Sequence, residues 1–200
     1  MTAAAERETL RDLVAALVPH DERETADRAY VLAWIESGSE LYRQVPPDQP
    51  AQHLVTYFLP YDARNDRLFL VAHRKAGLWL PPGGHVEPGE TPWETVVREA
   101  EEELAVTARP HPLTPDGLPC FLTVTRTVGP GQHTDCTLWH IIAVDPAATI
   151  RADPGEFTDA GWFARTTVAA WSADRTDPHM HRLLDKLGRL LDERSPHAAT

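Results

Sequence analysis

The stretch GGHVEPGETPWETVVREAEEELAV, residues 83–106, limits what this chain can fold into more than any other. Thr91 is a good N-cap, Pro92 suits the first helical position, and Glu94 stands where a capping-box partner belongs, so a helix begins here. From Trp93 the apolar positions Val97, Ala100 and Leu104, with Val96 beside them, form a stripe that packs on a sheet. The charges then fall on the opposite face. Glu99, Glu102 and Glu103 are spaced i, i+3 and i+4, which gathers their carboxylates within about one turn, where like charges repel by a few tenths of a kcal/mol per pair. Arg98 lies four residues from both Glu94 and Glu102 and can brace them.

A Glu-rich helix alone reads as a solvated surface. The segment in front of it changes that reading. Pro81, Pro82, Gly83 and Gly84 make a bare loop whose backbone can approach a ligand and whose carbonyls can join a carboxylate cluster. Two carboxylates about 4 Å apart repel by roughly 4 kcal/mol at an effective dielectric of 20, and a divalent cation turns that repulsion into attraction. Hard oxygen ligands without Cys or His suit Mg²⁺ or Mn²⁺, and Mg²⁺ commonly shares its shell with substrate phosphates.

Around this motif the pattern is that of an α+β domain. Residues 6–18 and a second segment from Asp21 to Gly38 are helical, with apolar stripes at Leu10, Leu13, Val14 and Leu17 and at Tyr30, Val31, Trp34 and Ile35. Asp21 caps the second helix while Glu24 reaches back. Residues 1–44 thus form an N-terminal helical extension, and 45–52 a Pro-rich connector. Residues 53–194 form the main domain. There, 53–61 and 67–74 flank the turn 62–66, 77–84 is a short extended piece, and 119–128 pairs with 135–144 around Gly129-Pro130-Gly131. Residues 159–164 add a strand, and Asp177-Pro178 opens a final helix with Leu183, Leu184, Leu187, Leu190 and Leu191 inward. The strands and helices interleave without the rhythm of a doubly wound sheet, so a mixed sheet packed with helices is the expected class. Residues 195–200 are expected to fray. The extension has more apolar surface than two short helices can bury between themselves; it packs on its own domain or in a twofold homodimer.

With 30 acidic against 19 basic residues the net charge is −11, which argues against a nucleic-acid footprint. The N-terminal residues hold no signal peptide and no run is long enough for a membrane, so the expected location is cytoplasmic. Cys120 and Cys136 lie roughly across from Ile141 and Thr125 on the second hairpin, where they read as small buried hydrophobes rather than a disulfide.

The motif resembles the signature of the Nudix hydrolases: Gly, five residues, Glu, seven residues, Arg-Glu, aliphatic, any, Glu-Glu, any, Gly, aliphatic. Here it reads Gly84, Glu90, Arg98, Glu99, Ala100, Glu102, Glu103, Ala105, Val106, matching six of seven identity positions. Ala105 replaces the usual Gly, which favours a left-handed exit from the helix, and Ala100 is small for an aliphatic slot. The resemblance covers roughly residues 52–165. It implies an α/β/α sandwich with a mixed sheet, and hydrolysis of a nucleoside diphosphate linked to another group with Mg²⁺ or Mn²⁺. It further implies that Glu102 and Glu103 ligate metal, with Glu99 as a further ligand or the base and the Gly84 carbonyl completing the shell. Arg98 would orient carboxylates, and Gly83 and Glu90 would shape the loop. Glu156, ahead of FTDAGWF, resembles the loop Glu that many members use as base, so the base is Glu99 or Glu156.

Other residues stay secondary. His73, Arg74 and Lys75 could meet a phosphate or be solvated hairpin-end charges, His133 and Asp135 fit turn chemistry as well as substrate contact, and His179 and His181 read as surface. Two further classes remain open: a nucleotide-sensing module on the same fold, and a prenyl-diphosphate isomerase using Cys120 or Cys136 as proton donor. The substrate itself is not legible, because base-reading residues come from variable strands and loops.

Overall fold

The computed structural model describes residues 3–44, 50–127, 132–145 and 148–194. Most of the Pro-rich connector, the glycine turn at 129–131 and the tail 195–200 lie outside the described residues. Two helices come first, α1 (Ala3–Ala16) and α2 (Glu22–Glu36). The sheet comprises β1 (Gln52–Asp62), β2 (Arg67–His73), β3 (Trp79–Leu80), β4 (Gly83–His85), β5 (Arg109–Pro110), β6 (Phe121–Arg126), β7 (Thr134–Ala143) and β8 (Phe157–Ala164). The remaining helices are α3 (Pro92–Leu104), α4 (Arg165–Ala169) and α5 (Met180–Arg194).

The sheet is mixed. β1 runs parallel to β7, from Gln52 opposite Thr134 to Pro60 opposite Ile142, whereas β2, β3, β4, β5, β6 and β8 join by antiparallel pairing. Alternation along β1 and β7 divides the core. Leu59 and Tyr61 of β1 and Trp139 and Ile141 of β7 face α4 and α5, meeting Val168, Met180, Leu183, Leu184 and Leu187. Phe58 and Ile142 face α3, meeting Val96, Ala100 and Leu104. Leu54, Cys136 and Leu138 face the N-terminal helices, meeting Leu10, Val14, Leu17, Val31 and Ile35. Helices thus cover both faces of an α+β sandwich, and Leu10, Val14, Leu17, Val31 and Ile35 of the extension pack on the chain's own sheet, whereas Tyr30, expected in the same stripe, is 49% exposed.

The extension also closes a sheet edge. Among the described residues β6 pairs with β7 alone; on its other side, Glu24 accepts the Leu122 N–H at 3.1 Å and Arg23 donates to the Val124 carbonyl at 3.3 Å. Asp21 caps α2 by accepting the Glu24 N–H. The Glu24 carboxylate does not return to its own cap as expected: one oxygen accepts the His20 N–H, and the other accepts from Leu122 and from Lys186 Nζ at 2.7 Å. Glu24 is 1% exposed and Lys186 7%, so this ion pair between α2 and α5 is fully desolvated.

Other details depart from the sequence reading. β8 begins two residues earlier than expected and pairs along β2. β5, two residues long, and α4, five residues long, carry too little pattern to be read from sequence. Val124 lies opposite Cys136, one residue from the expected register. His179 and His181 are partly buried rather than superficial, held by Thr125 and by the Trp171 carbonyl.

Candidate active site

The helix cap forms as its residues dictate: Thr91 Oγ1 accepts the Glu94 N–H at 3.2 Å and Glu94 accepts the Thr91 N–H at 2.7 Å. The buried face of α3, however, is rotated from the expected one. Val97 is 39% exposed, while Thr95, Val96, Ala100 and Leu104 are buried. Glu103 lies about 20° around the axis from Val96 at 100° per residue, so it projects into the packed face and is only 6% exposed. The three glutamates therefore do not share a solvent face. Their side chains grade from Glu103 at the interior through Glu99 at 14% to Glu102 at 61% exposure.

The glycines fit this arrangement by close approach. A Cβ on Gly84 would lie 1.9 Å from Glu99 Oε1, and one on Gly83 would lie 2.0 Å from the Thr56 carbonyl. The Gly83 N–H donates to Glu103 Oε2 at 3.0 Å. Arg98 ties the remainder together. Its Nε and Nη2 grip Glu90 at 2.8 and 3.0 Å, and Nη1 reaches Glu99 at 2.8 Å and Glu102 at 3.3 Å. Nη2 also donates to the His85 carbonyl at 3.3 Å, fixing the loop to the helix. Glu90 further accepts from Thr95 Oγ1 and the Glu87 N–H. Arg98 thus braces Glu90 rather than Glu94, because Glu94 is occupied by the cap.

The electrostatics follow from burial. Desolvation first, then the nearby Glu99 and Glu156, raises the Glu103 carboxyl to about 9, with only the Gly83 N–H favouring its charge. Burial also raises Glu99, opposed by Arg98 and assisted by Glu102 and Glu156. Glu156 therefore stands close enough to act on both carboxylates. It lines a cavity of about 280 Å³ with His73, Arg74, Lys75, Asp153 and Gly155. Arg74 is committed to the loop, donating to the Pro154 and Phe157 carbonyls at 2.9 and 3.4 Å and, through its N–H, to the Glu156 carbonyl at 2.8 Å. His73 accepts the Ala76 N–H on Nδ1.

Oxygen donors, a buried carboxylate with a single N–H partner, and an adjoining like charge fit a hard divalent cation at Glu99, Glu102, Glu103 and the Gly84 carbonyl. Ala105 leaves the helix at φ 54° and ψ 41°, the left-handed exit that a glycine would take. Cys120 and Cys136 are buried in the cores on opposite faces of the sheet, and burial lifts the Cys120 thiol to about 12. Neither stands among the signature carboxylates. His133 and Asp135, left open between turn and substrate, instead join His53 and His85 in a compact group. The signal was the recurrence of His and Asp at strand ends, which spacing along the chain does not reveal.

The model of the NUDIX domain matches residues 51–187. The chain belongs to the Nudix hydrolase family. Curated relatives include the asymmetrical bis(5'-nucleosyl)-tetraphosphatases of Caenorhabditis elegans, 52% identical over 29 residues (14% of this chain, 21% of that protein), and of Sus scrofa, 45% identical over 42 residues (20% and 29%). The chain therefore spans less than a third of the length of these relatives. Among solved structures, an Ap4A hydrolase binary complex from C. elegans superposes with a TM-score of 0.54 at 20% identity, covering 70% of this chain and 98% of that one. A NUDIX-family hydrolase from Clostridium perfringens gives 0.52 at 19% identity, covering 69% and 97%. These likenesses define the fold.

Proposed function

We propose that this protein hydrolyses a phosphoanhydride bond in a nucleoside diphosphate linked to another group, with Mg²⁺ or Mn²⁺ held by Glu99, Glu102, Glu103 and the Gly84 carbonyl. The observation that carries the reading is Glu103: a carboxyl group driven into the packed face of α3, beside Glu99, with one N–H for a partner. Such a group is costly without a cation and useful with one. A metal bound there would offset charge on the diphosphate and make an attacking water more acidic.

The chain's own residues supply the remaining parts. Arg98 and Glu90 hold the loop and the helix in register, so Gly84 and Glu99 meet the substrate at fixed positions. Arg98 engages Glu99 Oε1 directly and holds it in the carboxylate cluster; Glu156, on a loop pinned by Arg74, is the group assigned to take the proton from water. Lys75 and His73 line the same cavity as Glu156 and are the groups assigned to meet the phosphates. The tetraphosphatase relatives make dinucleoside polyphosphates the first compounds to try, alongside nucleotide sugars and dinucleotide cofactors.

The test is a product-resolved screen of these compounds with Mg²⁺ and Mn²⁺. Metal-dependent release of nucleotide products, lost in Glu103→Gln, is expected; binding of nucleotides without turnover would replace hydrolysis by sensing.

A further inference from the structure

The geometry points to a second metal centre, formed by His53, His85, His133 and Asp135, that takes a zinc-type transition-metal ion and anchors the loop carrying Gly83 and Gly84. The four residues come from three segments of the chain: His53 near the start of β1, His85 at the end of β4, and His133 and Asp135 on either side of the first residue of β7. Parallel pairing sets His53 opposite Asp135, and antiparallel pairing sets His85 opposite Val55. One ligand atom from each lies within 4.8 Å of all the others.

The protonation pattern argues for a cation between them. His53 is fully buried. Its Nδ1 faces the Pro50 carbonyl at 3.1 Å, an acceptor only, so Nδ1 carries a hydrogen, and in the neutral imidazole Nε2 presents its lone pair. Asp135 Oδ1 lies 3.2 Å from that nitrogen and 3.2 Å from His133 Nε2, close in distance but without hydrogen-bond alignment. The His53 ring lies 4.6 Å from that of His85 and 4.7 Å from that of His133. Nε2 of His53, Nε2 of His85 and Oδ1 of Asp135 are all buried without a hydrogen-bond partner. Hydrogen bonds thus leave three buried polar atoms of the group, two ring nitrogens and a carboxylate oxygen, without a partner. One metal ion serves all four.

Donor chemistry selects the ion. Three imidazoles and one carboxylate suit Zn²⁺ and its neighbours rather than Mg²⁺. Tetrahedral bonds of 2.0–2.1 Å place ligand atoms about 3.3 Å apart, which the two 3.2 Å contacts already match. The Pro50 carbonyl on His53 and Thr127 Oγ1, 3.3 Å from His133 Nδ1, are the outer partners that orient metal-binding imidazoles. Four protein ligands describe a structural rather than a catalytic ion. Its effect reaches the signature through His85, which adjoins Gly84 and whose carbonyl accepts from Arg98. The carboxylates of α3 are oxygen donors on another element, so the two centres are chemically separable.

The experiment is Co²⁺ titration of the full-length, chelator-stripped protein, read by the visible absorption of tetrahedral cobalt, with Zn²⁺ as competitor. One equivalent of Co²⁺ should give an intense tetrahedral spectrum that Zn²⁺ abolishes and millimolar Mg²⁺ does not. His133→Gln and Asp135→Asn, at partly exposed positions that spare the buried His53, should each weaken uptake by at least about a hundredfold, with circular dichroism reporting the fold. Glu103→Gln should keep the spectrum unchanged. Absence of a tetrahedral spectrum, equal uptake by wild type and both variants, or its loss in Glu103→Gln would each overturn the assignment.

Discussion

Glu103→Gln tests the physical state of the site apart from its chemistry. The Glu103 carboxyl is raised from 4.5 to about 9 in the folded protein, chiefly by burial. Between those values the folded state binds a proton that the unfolded chain does not. The stability associated with this group is therefore complete below pH 4.5 and is lost progressively as pH rises toward 9. At pH 7 the loss amounts to at most about 3.5 kcal/mol, taking about 1.4 kcal/mol per pH unit over the interval from 4.5. Glutamine keeps an acceptor for the Gly83 N–H and has no charge to desolvate. Chelator-treated Glu103→Gln should thus be more stable than wild type at pH 7, with the difference vanishing near pH 4.5 and growing to pH 9. Urea unfolding in EDTA at pH 5, 7 and 8.5 measures it. Parallel pH profiles, or a variant less stable than wild type throughout, would refute the reasoning.

Further outcomes follow from the same structure. Mg²⁺ at a hundredfold excess over its dissociation constant should stabilise wild type by about 2.7 kcal/mol, and Glu102→Gln and Glu103→Gln should each blunt the shift in Tm; an unchanged response in both places the ion elsewhere. Lys186→Met leaves Glu24 charged and buried and should cost about 3–5 kcal/mol, much of it recovered in the double variant with Glu24→Gln, as denaturant titration would show. Ala105→Gly relieves a left-handed alanine worth roughly 1–2 kcal/mol against about 0.4–1 kcal/mol of added unfolded-chain entropy, so a small rise in Tm is expected. Deleting residues 1–44 should cause aggregation by light scattering although every signature residue remains.

The cap of α3, the two hairpins, the mixed sheet and the inward leucines of α5 were legible because each rests on local periodicity or capping chemistry. The rotation of α3 was not. Val97 and Ala100 both fit an apolar stripe, and only the sheet beneath decides that Val96 and Glu103 turn inward. Sequence spacing grouped three glutamates but could not grade their burial, which is what separates Glu103 from Glu102. Glu24 read as a local cap, yet its partners Leu122 and Lys186 lie 98 and 162 residues away. The histidine cluster was hidden for the same reason: its members are brought together only by strand register.

The cover that α2 lays over β6 makes one backbone amide a reporter. Leu122 N–H, held by the Glu24 carboxylate instead of a neighbouring strand, exchanges with solvent when α2 lifts away, whether or not the sheet opens. Its hydrogen-exchange rate therefore reads the undocking of the extension, while amides between β1 and β7 read the opening of the whole sheet. Undocking bares the Leu122 N–H and the Val124 carbonyl together, the pair that a foreign strand needs to dock. The fraction of time α2 spends released, more than the global stability, sets how readily this protein recruits another chain.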